Sequence, residues 1–324
     1  MALRTVIPDD FPPAYQGQKE LDALAPYGEV VIYNTKAADS KELIERLRGA
    51  AALINVRAYT RLDEEVISAL PDLKTIAIMG TGTDNVDLEA ATRHGVVVTN
   101  TPGVSTASVA ELTFALLLAA ARHVALADAA ARKGQWRHEE GVELEGKTIG
   151  LIGLGAIGRK VASIAHGFGM KVVAWSMTRD EERARQAGVT LMEFDEVLKT
   201  ADVVSLHLRA SPQTAGIVGR RELALMKPTA ILVNTARGAL VDEAALADAL
   251  ASKRLRAAGL DVFVREPLPA DSPLLKLENV VLSPHAGWVT AEASERMRRM
   301  PVDNLIAFFE GRPVNVVNTA VLKK

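Results

Sequence analysis

The chain has 324 residues, 48% of them hydrophobic and 24% charged, with 38 basic and 40 acidic side chains for a formal net charge of −2. That length exceeds one ordinary core and suits two domains of about 150 residues, and the near-neutral balance offers no field to recruit nucleic acid or an anionic membrane. The absence of cysteine excludes disulfides, thiolate catalysis and cysteine metal sites, and no metal site is expected.

Residues 1–10 lack the charged-then-apolar pattern of a secretory signal, and the most apolar window, 112–121, is about half of what a bilayer needs. The expectation is a cytoplasmic protein with small-molecule partners. Apolar runs at 3–7, 30–33, 51–56, 75–79 and 96–99 alternate with helical patterns at 20–25, 41–47, 64–70 and 88–93. Continuous Val/Ile/Leu runs separated by helices read as parallel strands buried on both faces, so the first hundred residues form an α/β unit. Gly80-Thr81-Gly82-Thr83-Asp84-Asn85 sits where the fourth run ends. Asn100-Thr101-Pro102-Gly103-Val104-Ser105 is a turn-rich hinge, followed by an Ala/Leu-rich stretch, 106–133, read as a single helix. At about 40 Å it suits a bridge between domains or a subunit interface.

The alternation restarts at Lys147-Thr148-Ile149-Gly150-Leu151-Ile152-Gly153-Leu154-Gly155-Ala156-Ile157-Gly158, an apolar run that breaks into glycines and continues as a helix. Gly153 permits the tight turn, Gly155 lets a pyrophosphate approach, and Gly158 lets helix pack on strand. The first-turn amides around Ala156 and Ile157 then point at phosphate oxygens, helped by the helix dipole. Further runs at 171–175, 203–206, 230–233, 258–262 and 280–282 complete a six-stranded doubly wound sheet. A helix over 291–309 leads to a last segment at 314–317, which returns to the first domain.

Ligands lie beyond the carboxyl ends of such strands, so the polar residues there deserve scrutiny. They are Ser176, Thr178 and Arg179 after the second strand, His207 after the third, and Thr235, Ala236 and Arg237 after the fourth. Asp261 and Glu266 follow at the fifth and His285 after the sixth. Each has a structural alternative: a satisfied core histidine, a capping arginine, a loop carboxylate. Together they are the parts of an acid-base and anion-binding site opposite a cofactor.

With these motifs in order, the chain resembles the D-isomer-specific 2-hydroxyacid dehydrogenases over essentially its whole length. The stretches that carry the resemblance are 80–87, 100–103, 109–111, 153–158, 234–238, 261–267 and 283–285. The resemblance implies two doubly wound parallel-sheet domains, with an NAD(P)-binding Rossmann domain (104–287) inserted into a flavodoxin-like substrate domain (1–103 and 288–324). It implies hydride transfer between NAD or NADP and C2 of a small 2-oxo or 2-hydroxy acid. His285 is then the general acid or base and Glu266 its partner, and Arg237 holds the substrate's carboxylate and carbonyl. Amides of Thr81 and Gly82 grip the carboxylate, and Asp261 contacts the nicotinamide amide. Arg57 matches an arginine that touches substrate in some members. The glycine cradle, the residues after the second strand, and His207, Thr235 and Ala236 make the cofactor side. Family habit adds a homodimer through 106–133.

Departures shape the detail. NAD-preferring members carry an aspartate after the second strand, whereas Ser176 follows Trp175 here, which favours NADP. Trp288, three residues past His285, either walls the substrate pocket or covers the domain junction. Tyr15 and Tyr59 are further candidates for specificity. Two other readings of the same fold are a cofactor-sensing corepressor and a formate dehydrogenase. The latter group pairs its histidine with glutamine, and Glu266 stands here instead.

Overall fold

The computed structural model describes residues 3–56 and 59–323, so Arg57 lies outside the described residues. The chain divides into two compact units, Met1–Val104 with Thr290–Lys324, and Ser105–Val289.

In the first unit the strands are β1 (Leu3–Ile7), β2 (Gly28–Ile32), β3 (Ala52–Asn55), β4 (Thr75–Ile78) and β5 (Val97–Thr99). They pair in parallel in the order β2-β1-β3-β4-β5, the flavodoxin-like doubly wound arrangement. Every residue of β3 and β4 is buried, which explains their near-continuous apolar sequence: helices cover both faces. Asp39, Asp63 and Asp87 start three of those helices by accepting the backbone N–H groups of Glu42, Val66 and Ala90. The helix Ala291–Phe309 packs Val302 and Leu305 against Ile7 and Ile54. The segment after it makes one antiparallel bridge, Val316 to Thr99, rather than a strand. The Asn318 side chain secures it, accepting from the N–H of Val98 and donating to the carbonyl of Val96.

The second unit holds β6 (Thr148–Ile152), β7 (Lys171–Trp175), β8 (Thr190–Leu191), β9 (Val203–Leu206), β10 (Ile231–Asn234), β11 (Ala257–Leu260) and β12 (Val280–Leu282). The order is β12-β11-β10-β9-β6-β7-β8, parallel throughout. Strand β6 has β7 on one side and β9 on the other, so the winding reverses there, and the crevice at that switch point opens beyond the carboxyl ends of the strands. The six expected strands all form. The seventh, β8, is two residues long, too short for any hydrophobic period to reveal.

The single helix expected over 106–133 is instead two, Thr106–Ala121 and Val124–Ala131, bent by 64°. His123 breaks them by adopting φ 55 in the left-handed region. The first helix buries Phe114, Leu116 and Leu117 in the core that contains β6 and β10, whereas the second buries only Ala130. Alanine has the same helix preference on both sides of the break, and neither glycine nor proline marks it, so composition alone reads as continuous. Among the described residues no single helix is long and apolar enough to cross a membrane.

Candidate active site

Strand β6 delivers the chain to Gly153, whose φ of 109 suits glycine and whose N–H donates to the carbonyl of Trp175 at 2.8 Å. The helix Ala156–Gly167 starts at Gly155, with no side-chain cap on its first-turn N–H groups. A Cβ on Gly158 would lie 2.2 Å from the carbonyl oxygen of Gly153, so only glycine lets this helix sit so close to the strand end. At Gly155 a Cβ would meet open space. Uncapped amides beside an open approach fit a dinucleotide pyrophosphate.

At the end of β7, Trp175 packs on Phe194 with centroids 4.9 Å apart, and Ser176, Thr178 and Arg179 follow. The Arg179 guanidinium is exposed and pairs with Glu181 at 2.7 Å and Glu193 at 3.2 Å. Exposed pairs of this kind are worth about 0 to 1 kcal/mol, so a phosphate can displace them. His207, after β9, lies 3.0 Å from the Ser205 hydroxyl through Nε2. Burial pushes its pKa down to about 4, so the ring is neutral at physiological pH.

The loop after β10 is closed by Asn234, which accepts from the N–H of Ala236 and donates to the carbonyl of Arg237. Thr235 is buried, its hydroxyl 2.8 Å from that of Thr113. Arg237 is half-buried and donates to the carbonyl of Ala236. A Cβ on Gly238 would fall 2.0 Å from the backbone carbon of Phe263, so the loops after β10 and β11 touch backbone to backbone.

That contact brings Glu266 into the site. Its Oε1 accepts from the N–H of Phe263 at 3.0 Å, and its Oε2 lies 2.7 Å from Nδ1 of His285. Burial raises the Glu266 pKa, but the bonds from His285 and Phe263 and the charges of His285 and Arg237 outweigh it and hold the carboxyl below its usual range. His285 itself has φ 55. Its turn is braced by Asp261: the backbone carbonyl accepts from the His285 N–H at 2.8 Å, Oδ1 from Ala286 at 2.7 Å and Oδ2 from Gly287 at 2.9 Å. Trp288 follows, half-buried, in the turn closed by Val289 on Ala286. The ends of β10, β11 and β12 thus bring Arg237, Asp261, Glu266 and His285 to one sheet edge.

In the first unit, Thr81 and Gly82 lie just beyond β4. Tyr15 does not line a pocket: it is fully buried, its hydroxyl donates to the carbonyl of Arg298 at 2.7 Å, and burial raises its pKa well above the ordinary phenol value. Among the described residues no group of three or more His, Asp or Glu side chains is placed to hold a metal.

A model of the D-isomer specific 2-hydroxyacid dehydrogenase NAD-binding domain matches residues 114–287. A glyoxylate reductase of Thermococcus litoralis is 45% identical over 297 residues, 89% of each chain. The chain belongs to the D-isomer-specific 2-hydroxyacid dehydrogenases. As a member of that family it is an NAD(P)-dependent oxidoreductase acting on a CH–OH donor. It is 48% identical to the D-3-phosphoglycerate dehydrogenase of Mycobacterium leprae over 260 residues, spanning 80% of this dehydrogenase and 49% of that one. Among solved structures, the NADPH-dependent glyoxylate/hydroxypyruvate reductase of Sinorhizobium meliloti, in complex with NADP and malonate, superposes with a TM-score of 0.87. It shares 30% identity over 98% of this dehydrogenase and 97% of that chain.

The backbone contact at Gly238 predicts a graded loss. Gly238→Ala should push the loops after β10 and β11 apart, lowering kcat/KM by about tenfold to a hundredfold and stability by about 1 to 3 kcal/mol. Steady-state kinetics beside chemical denaturation would show it, and wild-type kcat/KM in the variant would refute it.

Proposed function

We propose that this dehydrogenase is a reductase of small 2-oxo acids of the glyoxylate or hydroxypyruvate kind, with NADP(H) preferred over NAD(H). The observation that carries the proposal is the 2.7 Å His285–Glu266 pair on the sheet edge that also bears Arg237 and the glycine cradle. Amides of Gly155, Ala156, Ile157 and Gly158 hold the pyrophosphate, Ser176, Thr178 and Arg179 the adenosine end, and His207, Thr235, Ala236 and Asp261 the remainder. Bound NADPH supplies the hydride. The Arg237 guanidinium holds the substrate carboxylate with its planar fork and polarises the C2 carbonyl, a geometry lysine lacks. Thr81 and Gly82 donate further N–H groups to that carboxylate. As negative charge develops on the C2 oxygen, Nε2 of His285 delivers a proton to it. Glu266 stays ionised through the neutral range, because its carboxyl is held below its usual pKa, and keeps Nδ1 protonated and the ring oriented.

The NADP preference rests on the lack of a carboxylate directly after Trp175 and on the displaceable Arg179 pairs. The NADPH-dependent enzyme of S. meliloti supports it. A cytoplasmic location, where NADPH is abundant, belongs to the same reading. A homodimer is proposed through the surface around Val124–Ala131, where Val124 is 54% exposed and Trp136, just beyond, is 85% exposed. A corepressor role on this fold is not favoured, since the relatives matched are enzymes.

His285→Gln should cut turnover by roughly two to four powers of ten while leaving NADPH affinity intact, the span general acid catalysis supplies; near-normal turnover would sink the assignment. Comparing kcat/KM for glyoxylate and hydroxypyruvate with each cofactor should favour NADPH by about tenfold or more, and a strong NADH preference would overturn that part. Sedimentation at micromolar concentration should find a dimer, and a monomer would remove the proposed interface.

A further inference from the structure

Three asparagines of the first unit form a connected set of hydrogen bonds that ends on the Thr81–Gly82 peptide. Asn315 donates its side-chain amide to Oδ1 of Asn304 at 2.8 Å. Asn304 donates to the backbone carbonyl of Asn100 at 2.9 Å, and Asn100 donates to the carbonyl of Thr81 at 2.7 Å. The backbone runs beside it: Asn100 N–H donates to the carbonyl of Asn315 at 3.2 Å and Thr101 N–H to that of Gly80 at 2.9 Å. The Thr81 hydroxyl closes on the carbonyl of Thr101. Asn304 is 1% and Asn100 4% exposed, so these are buried amides in a medium where an unmet donor is costly. The chain of donors also fixes each amide's orientation. Turning Asn304 over would set its oxygen against the carbonyl of Asn100 and its NH2 against that of Asn315. Asn315 has φ 55, a backbone conformation asparagine tolerates better than most residues.

The geometry matters because a trans peptide is planar, with its C=O and N–H directed oppositely. The peptide between Thr81 and Gly82 is trans. Drawing the Thr81 carbonyl onto the Asn100 amide therefore turns the Gly82 N–H the other way. Without that bond, the carbonyl and the N–H are free to exchange directions by a rotation about flanking single bonds, which glycine makes easy.

We propose that Asn100, held by Asn304 and Asn315, is a positioning residue that aims the Gly82 N–H at the substrate carboxylate. The inference rests on the reading of Gly82 as a carboxylate donor given above. A contact made equally in the ground and transition states alters KM and leaves kcat unchanged. Asn100→Asp, nearly the same shape, replaces the donor facing the Thr81 carbonyl with an oxygen. It should raise KM for glyoxylate by about ten- to a hundredfold, the worth of one hydrogen bond to a charged group, with kcat within about threefold and NADPH affinity unchanged. Asn315→Gly removes a side chain two bonds further back, at a φ glycine adopts readily, and should raise KM by about two- to fivefold.

The experiment measures KM and kcat for glyoxylate at saturating NADPH, with NADPH binding by fluorescence and thermal unfolding of each variant. A merely structural role would lower the unfolding temperature and the active fraction together without moving KM. Unchanged KM in folded Asn100→Asp, or in Asn315→Gly where the first variant does not fold, overturns the relay alone. A wild-type enzyme that reduces no 2-oxo acid overturns the functional reading and the relay's role with it.

Discussion

The turn that carries His285 depends on Asp261. This aspartate is 1% exposed, a burial that a polar side chain tolerates only when its oxygens are met. Here both are, by the N–H groups of Ala286 and Gly287, while the Asp261 carbonyl receives that of His285. A hydrogen bond of this kind contributes about 0.5 to 1.5 kcal/mol, whereas a left-handed backbone at a non-glycine residue costs about 1 to 2 kcal/mol. The brace therefore offsets the strain at His285. It holds in place a ring whose side chain is 39% exposed.

The remaining geometry follows from the same edge. Strands β10, β11 and β12 are parallel and in register, so their carboxyl ends fall on one line. The absence of a Cβ at Gly238 lets the loops after two of them meet at backbone distance, which sets Glu266 within reach of His285 and within the field of Arg237. Glu266 is held from both sides, by Phe263 and by the imidazole, so its carboxylate is already oriented before any substrate arrives. In the first unit neutral amides do the ordering. Asn100, Asn304 and Asn315 order the turn at Thr81 and Gly82 through hydrogen bonds between neutral groups.

Much of this was legible in the residues. The strand runs, the glycines at 153, 155 and 158, and the polar residues at strand ends follow from periodicity and from the chemistry of parallel sheets. The histidine after Pro284 stands out because a strand end is a poor place for a core residue. Other features were hidden for identifiable reasons. The break at His123 falls inside uniform alanine-rich sequence, and the two-residue β8 has no period. Tyr15 invited a pocket role by its chemistry, yet a carbonyl 283 residues away satisfies it. Asp261 reads as a cofactor ligand, and nothing local reveals that its carboxylate also braces a turn more than twenty residues downstream.

The sequence by itself determined the family, the reaction class and the two α/β units, and it singled out the candidate acid-base and anion-binding side chains, because each leaves a short local signature. Only the tertiary structure decided how those side chains are aimed. The Asp261 brace, the Gly238 contact and the asparagine relay each join residues far apart in the chain, through hydrogen bonds and close approaches whose partners no local pattern encodes.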